Sequence, residues 1–366
     1  MAKTRRHFRT ARDRSLGIFC LLIALTSGCL FLNMSILPSI NLRVDARDEQ
    51  RDVTFAPTPA PTTIKGYVGM LRLMTFSDDE ANPDPVSNNN SLPKHVVWVG
   101  KKTACSKNTD LFVYIPSKME NFMRRRLIRR TWGSVKSVNS ISITVVFILG
   151  KPVDSNEQLM LNNEQLVHED IIQVDVHEHY RNLSVKAVAA LSWIHERCKH
   201  IRYVMKVDDD IFVNIFELTR NLLPQLHPDS LSVACHVVPA GISPIVRSEN
   251  SRWYIPENLL SGRKYFPAFC SGYTVVMTAK TTQELYKNSL KQPILPVDDV
   301  YTFGILAEHL NVTFMDVKGN MSLSEASAMK SYESGDVQNF AVDVKASANI
   351  ERLWVLSLQD AMKKAS

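Results

Sequence analysis

Hydrophobic and polar positions divide this chain into three textures. The first is an uncharged run from Ser15 to Leu37, 23 residues long, in which twelve are Leu, Ile or Phe. At about 1.5 Å of rise per residue, such a helix spans a hydrocarbon core of roughly 30 Å, and Pro38 stops it. A cleaved signal peptide would carry an apolar stretch of only about 7–15 residues before a small-residue cleavage site. Ser27-Gly28-Cys29 offers small residues, but apolar sequence resumes directly after it, so the run reads as an uncleaved anchor. The second texture, residues 38–93, has no periodicity that would bury a face. Ala56 to Thr63 is rich in Pro and Thr, and Asn82 to Pro93 in Pro, Asn and Ser, as in a solvated spacer. A plain linker and an O-glycosylated stalk both fit that composition.

The third texture begins near Lys94, where short apolar runs alternate with helical patterns. Strands are expected over 110–116, 141–149, 171–176, 203–207, 231–238 and 273–278. Ser117-Lys118-Met119-Glu120 has the form of a capping box opening a helix with Met119, Phe122, Met123 and Ile128 at helical spacing. Leu183 to Arg197 is a second helix, and others begin near Thr281 and Asp298. Alternating strands and helices imply an α/β domain, a mainly parallel sheet covered on both faces, with ligands expected beyond the carboxyl ends of the strands. No internal repeat is evident.

Charge changes the picture. The chain has 366 residues, 45% apolar and 22% charged, with a formal charge of +6. This composition excludes a disulfide miniprotein, a collagen-like fibre and a wholly disordered chain. The first 14 residues hold Lys3, Arg5, Arg6, Arg9, Arg12 and Arg14 against Asp13 alone. Nearly all the excess charge therefore sits in a short tail, and the rest offers no basic surface for nucleic acid. The positive-inside rule leaves that tail in the cytosol and everything after Pro38 in the lumen, a type II arrangement. The expected organisation is a basic tail (1–14), a transmembrane signal-anchor (15–37), a stem (38–93) and a lumenal domain (94–366).

Glycosylation sequons begin at Asn89, Asn182, Asn311 and Asn320 on the lumenal side, and at Asn33 inside the expected span. Cys105, Cys198, Cys235 and Cys270 would face an oxidising lumen. Four cysteines allow three full pairings, among which spacing does not choose, and none has zinc-ligand spacing.

The most informative stretch is Arg202-Tyr-Val-Met-Lys-Val-Asp208-Asp209-Asp210-Ile-Phe-Val-Asn214, an apolar strand running into three carboxylates. In extended backbone, residues i and i+2 share a side, so Asp208 and Asp210 would converge while Asp209 turns away. Like charges held together call for a cation, and oxygen-only ligands favour Mg²⁺ or Mn²⁺ over zinc. A solvated acidic turn is the plainer alternative.

Five segments in order resemble glycosyltransferase family 31, the β-1,3-galactosyltransferase and β-1,3-N-acetylglucosaminyltransferase group. They are Arg125-Arg-Leu-Ile-Arg129-Arg-Thr131-Trp132-Gly133, Phe147-Ile-Leu-Gly150, Glu169-Asp170 through Tyr180-Arg-Asn182-Leu-Ser-Val-Lys186, Lys206 through Asn214, and Pro296-Val-Asp298-Asp299-Val300. The similarity covers roughly residues 108–312. It implies a GT-A-type nucleotide-sugar-binding domain in the Golgi membrane. It also implies inverting transfer of galactose or an N-acetylhexosamine from a UDP-sugar to a hydroxyl of a glycoprotein or glycolipid glycan, forming a β-1,3 linkage.

The resemblance further implies site roles. Asp210 is the principal metal ligand, assisted by Asp208, for Mn²⁺ or Mg²⁺. Asp208 and Asp209 count with the nucleotide-sugar-binding residues. Asp299 is the base that takes the acceptor proton, against the plainer reading of Asp298-Asp299 as a helix N-cap. On the basic helix, Arg125 and Arg129 share a face at i, i+4 and are the candidates for the diphosphate. Trp253, Tyr254 and Phe269 are candidate acceptor-stacking residues, with core packing as the alternative. His177, His179 and His236 read as structural. Two departures stand out: the family usually has Glu at Asp298, and Tyr at both Phe266 and Phe269. They keep open a second reading, a lumenal glycan-binding protein with a decayed active site. A metal-dependent phosphohydrolase would need further His or Asp ligands at recognisable spacing, and none is seen.

Overall fold

The computed structural model describes residues 98–99 and 105–365. The tail, the anchor, the stem and Asn89 lie outside the described residues. Among the described residues no helix is long and apolar enough to cross a membrane.

Strands β1 (Trp98–Val99), β2 (Leu111–Pro116), β3 (Ser137–Val138), β4 (Ile141–Lys151), β5 (Ile171–His177), β6 (Tyr203–Val207), β8 (Ser232–Val238), β9 (Phe269–Thr278) and β10 (Thr313–Asp316) form one mixed sheet. Its order is β1-β5-β4-β2-β6-β9-β8-β10, with β3 paired to β4. The centre, β5-β4-β2-β6, is parallel; β9 runs antiparallel to both β6 and β8, and β10 lies parallel to β8. The expectation of a mainly parallel sheet thus holds at the centre and gives way to antiparallel pairing beyond β6. A separate sheet, β11-β12-β7, joins Met321–Ser322, Ala341–Asp343 and Ile211–Val213.

The central strands read as continuous apolar runs because both of their faces are buried. In β2, Leu111, Val113 and Ile115 join a core with Leu127 and Ile128 of α1 (Phe122–Arg130). Phe112 and Tyr114 point to the opposite core, with Val188, Leu191 and Ile194 of α3 (Leu183–Arg197). Helix α2 (Ser155–His168) links β4 to β5 and ends at Glu169, whose φ of 55° is the left-handed cap of the last turn.

The capping-box reading of Ser117 is corrected. A 3₁₀ turn, Met119–Asn121, precedes α1, and Lys118 stands at its N-cap position without a side-chain cap. The Ser117 hydroxyl instead donates to Asp209 at 2.6 Å. A long-range carboxylate has displaced the local bond that a capping box needs.

The four cysteines pair as Cys105–Cys198 and Cys235–Cys270. The second bridge fastens β8 to β9 beside an irregularity in their register.

Candidate active site

The site is built where β6 ends. Asp208 continues β6, and its backbone N–H donates to the Tyr273 carbonyl of β9 at 3.0 Å. Asp209 and Asp210 lie in a turn closed by the Ile211 N–H on the Asp208 carbonyl at 3.2 Å, and the turn separates Asp209 from its two neighbours. Asp209, only 6% exposed, turns into the protein and accepts from Ser117 Oγ at 2.6 Å, Asn121 Nδ2 at 2.8 Å and Arg124 at 2.9 Å. It ties the end of β6 to the turn after β2. Asp208 and Asp210 stay 40% and 37% exposed at the side chain.

Each exposed carboxylate has one cationic neighbour. Lys206 Nζ donates to Asp208 Oδ1 at 2.6 Å and to the Gly272 carbonyl of β9. Arg124 reaches Asp210 Oδ2 at 3.4 Å while holding Asp209. Burial pushes the Asp210 carboxyl above its ordinary value, and the Asp208 charge adds to that shift.

Lys206 is the buried centre of the arrangement. It pairs in register with Tyr114 on the adjacent parallel strand, so both side chains emerge on the α3 face. Burial works against its charge, but Asp208 and Asp298 outweigh burial and hold it above the ordinary lysine range. The Tyr114 hydroxyl is buried without a partner, and burial raises its pKa strongly.

Asp298 and Asp299 open a helical turn, Asp298–Val300, that packs against β9 and α3. No side-chain cap precedes it; Asp299 Oδ1 accepts from the Val300 N–H at 2.8 Å. Burial raises both carboxyls. Asp298 reaches about 6, with Lys206 opposing and Asp299 and Asp208 adding to the rise. For Asp299 the Val300 N–H, Lys206 and the Gly272 N–H oppose the rise. Gly272 is what lets β9 come so close. A Cβ there would stand 2.8 Å from Asp299 Cβ and 3.4 Å from Lys206 Nζ. Asp208 from one segment and Asp298 and Asp299 from another thus meet around one buried lysine, with Asp210 beside Asp208 and paired to Arg124.

Not every expected residue is gathered here. Arg125 is fully buried and forks onto Glu164 at 2.8 and 2.7 Å. Arg129 bonds Asp170 twice at 2.8 Å and Glu164 at 2.8 Å. Both guanidiniums fasten α1 to α2 and to the start of β5, so the structure does not bring them to the carboxylate cluster. The arginine that stands there is Arg124, one residue earlier.

Phe269 is buried edge-on against Phe266, with ring centroids 6.2 Å apart. Trp253 is 47% exposed and Tyr254 partly so. His236 contacts the Tyr273 hydroxyl at 3.2 Å, and His179 accepts from the Arg181 N–H, as structural histidines do. Asn311 and Asn320 are exposed, whereas Asn182 is partly buried and donates to the His177 carbonyl at 3.0 Å.

Lys206, Arg124, Lys186 and Tyr114 were missed by sequence reasoning. Lys186, buried, donates to Glu178 at 2.7 Å and to the Ser117 carbonyl at 2.9 Å; burial lowers its pKa against the pull of Glu178. A single lysine inside the otherwise apolar Tyr203–Val207 strand was a usable signal, because a buried ammonium requires carboxylates nearby.

Comparison with known proteins follows the same residues. The galactosyltransferase family model matches residues 123–318, more than half of the chain. The chain belongs to the galactosyltransferase family, glycosyltransferase family 31. Mouse β-1,3-galactosyltransferase 1 is 35% identical over 205 residues, 56% of this chain and 62% of that protein. Human β-1,3-galactosyltransferase 2 is 33% identical over 246 residues, 67% of this chain and 58% of that one. The matched part of the chain thus spans about three-fifths of the length of these curated relatives. Among solved structures, the galactosyltransferase LgtC in complex with donor and acceptor sugar analogues aligns with 68% of this chain and 95% of its own, at 11% identity and a TM-score of 0.34. All the carboxylates described above fall inside the galactosyltransferase match.

Proposed function

We propose that this galactosyltransferase-family protein transfers a hexosyl residue, galactose or an N-acetylhexosamine, from a UDP-sugar to a glycan hydroxyl with inversion, forming a β-1,3 linkage. The observation that carries the reading is the meeting of Asp208 with Asp298 and Asp299 around Lys206 at the carboxyl end of β6, with Asp210 next to Asp208. The names of the relatives support the linkage.

Inverting transfer has two demands: charge gathers on the departing UDP, and the acceptor hydroxyl must lose a proton. The exposed Asp208–Asp210 pair addresses the first. Its donors are oxygens only, and both carboxylates are partly exposed, which fits a hard divalent cation such as Mn²⁺ or Mg²⁺. Among the described residues no group of three or more His, Cys, Asp and Glu gathers to enclose a metal, so these two carboxylates would hold it from one side. Bound there, a cation supplies positive charge to the diphosphate.

Asp299 addresses the second demand. Its carboxylate is raised by burial, which makes it a better base, and it is held in one orientation by the Val300 and Gly272 N–H groups. Lys206 keeps the acceptor-side carboxylates next to the donor-side pair without competing for the proton, because it stays charged. Asp209 fixes the backbone that aims its two neighbours.

The Phe266–Phe269 pair, which kept a glycan-binding reading open, packs edge-on, and a Cβ added at Gly304 would stand 2.9 Å from Phe269 Cβ, which supports a packing role. We place the catalytic domain in the Golgi lumen behind a type II anchor at 15–37. Two disulfides in the described residues support an oxidising compartment. The test is UDP release with Mn²⁺ across a panel of UDP-sugars and acceptors. Release coupled to a new β-linked sugar supports the reading. No release with any pair favours a glycan-binding protein, and phosphate release without transfer favours a hydrolase.

A further inference from the structure

A second group of side chains stands beside the Asp298–Val300 turn and takes no part in holding it. Tyr180 and Arg181 precede α3, while Arg252, Trp253 and Tyr254 belong to the long connection between β8 and β9. Arg252 lies over the Tyr180 ring at 5.5 Å and over the Trp253 ring at 4.6 Å. Arg181 lies over the Tyr254 ring at 5.6 Å. Two segments about 70 residues apart therefore interleave guanidinium planes and aromatic rings at cation–π distance.

The ladder reaches the surface: Arg252 and Trp253 are exposed, and Tyr180, Arg181 and Tyr254 are partly so. It also adjoins the carboxylates. Tyr180 bonds Trp253 and lies within electrostatic reach of both Asp298 and Asp299, and α3, which begins three residues later, packs on their turn.

Most arginines among the described residues pair with a carboxylate. Arg124, Arg125, Arg129, Arg247 and Arg263 each reach an Asp or Glu. Among the described residues Arg181 and Arg252 have no carboxylate partner, and the nearby Glu249 engages the Tyr254 hydroxyl at 3.4 Å instead. Stacking on a ring uses the face of a guanidinium and leaves its N–H edge free. That edge matches the two oxygens of a carboxylate or a sulfate, and the rings offer flat faces to pyranose C–H groups. A neutral sugar would need the rings alone.

We propose that Tyr180, Arg181, Arg252, Trp253 and Tyr254 form a subsite for an anionic glycan, one bearing a carboxylate or sulfate beside the sugar that receives the hexose. That this glycan is the acceptor rests on the transferase reading; that the ladder binds an acidic glycan does not.

The test uses the full chain in detergent against immobilised N-acetyllactosamine, its sulfate ester, a hexuronic-acid disaccharide and, separately, UDP. The acidic glycans are expected to bind at least about 10-fold more tightly than the neutral one, the size of one charged hydrogen bond. The preference should weaken as salt rises and vanish in the Arg181→Gln/Arg252→Gln variant. Whichever acidic glycan binds better names the anion. Equal binding of acidic and neutral glycans by the unaltered protein, or binding of neither, overturns the proposal. So does loss of UDP binding in the double variant, which would assign the guanidiniums to the donor. Absence of turnover with every donor would instead sink the transferase reading and leave this measurement interpretable.

Discussion

At the scale of single residues, the site depends on how closely β9 approaches the Asp299 turn. Gly272 has no Cβ, and adding one forces Asp299 or Lys206 to move, since the nearest atom would be 2.8 Å away. Gly272→Ala is therefore expected to lower kcat by about 10²-fold, the cost of misplacing a reacting group by about 1 Å, and to lower the melting temperature through the roughly 1–3 kcal/mol cost of an overpacked contact. Steady-state kinetics with thermal melting reads both. The raised carboxyls give a second expectation. A base works when ionised, so activity is lost as pH falls, and the acid limb of kcat/KM should lie above the ordinary carboxylate range, because burial raises both Asp299 and its neighbour Asp298. Asp298→Asn removes that coupling, and the limb should move to lower pH in a pH–rate profile. An unmoved limb would detach the pair from the chemistry. The divergence of Asp209 from Asp208 and Asp210 was legible locally, but the expectation that Asp209 helps bind the nucleotide sugar does not match its position, buried on Ser117, Asn121 and Arg124. The role of Gly272 was not legible, because it arises from a contact between segments that only the fold brings together.

At the scale of elements, the Arg125-to-Trp132 box turns out to be a clamp. Arg125 and Arg129 fasten α1 onto Glu164 of α2 and Asp170 ahead of β5. Burial raises Glu164, but the two guanidiniums outweigh burial and hold its carboxyl below the ordinary range. Glu164→Gln would leave two buried cations short of their partner, a loss of about 3–5 kcal/mol. Thermal melting should show a drop on the order of 10 °C. A drop of only one or two degrees would mean that the clamp does not hold these helices. Helical spacing correctly put the two arginines on one face, but spacing carries no information about what that face meets. Glu164 was invisible for the same reason: the apolar residues of its helix, Leu159, Met160, Leu161, Leu166 and Val167, give no pattern that singles it out. The Ser117 capping box failed similarly, its hydroxyl drawn away by Asp209. The parallel centre of the sheet was readable from its continuous apolar runs. The antiparallel return of β9 was not, since strand direction is set by the long connection over 239–268 and not by composition.

At the scale of the whole molecule, the described residues form a body tied by two covalent staples. Cys105–Cys198 links the approach to β2 with the end of α3, and Cys235–Cys270 links β8 with β9. Replacing Cys235 and Cys270 by serine is expected to cost about 2–4 kcal/mol, seen as a lower melting temperature and poor recovery from an oxidising secretory route. Unchanged melting would argue against the bridge. The formal charge of +6 sits largely in residues 1–14, and the body uses its charge locally: carboxylates at the end of β6, guanidiniums on the ladder beside it. The central claim is that the Asp208–Asp210 side holds the donor and Asp299 deprotonates the acceptor. The most direct measurement is turnover of a UDP-sugar with Mn²⁺ by the unaltered protein and by Asp299→Asn, following UDP release and the anomeric configuration of the product. The account expects a β-linked product from the unaltered protein. The folded variant should still bind UDP and lose at least about 10²-fold in kcat, the usual contribution of a positioned base. Full turnover by a folded Asp299→Asn would contradict it.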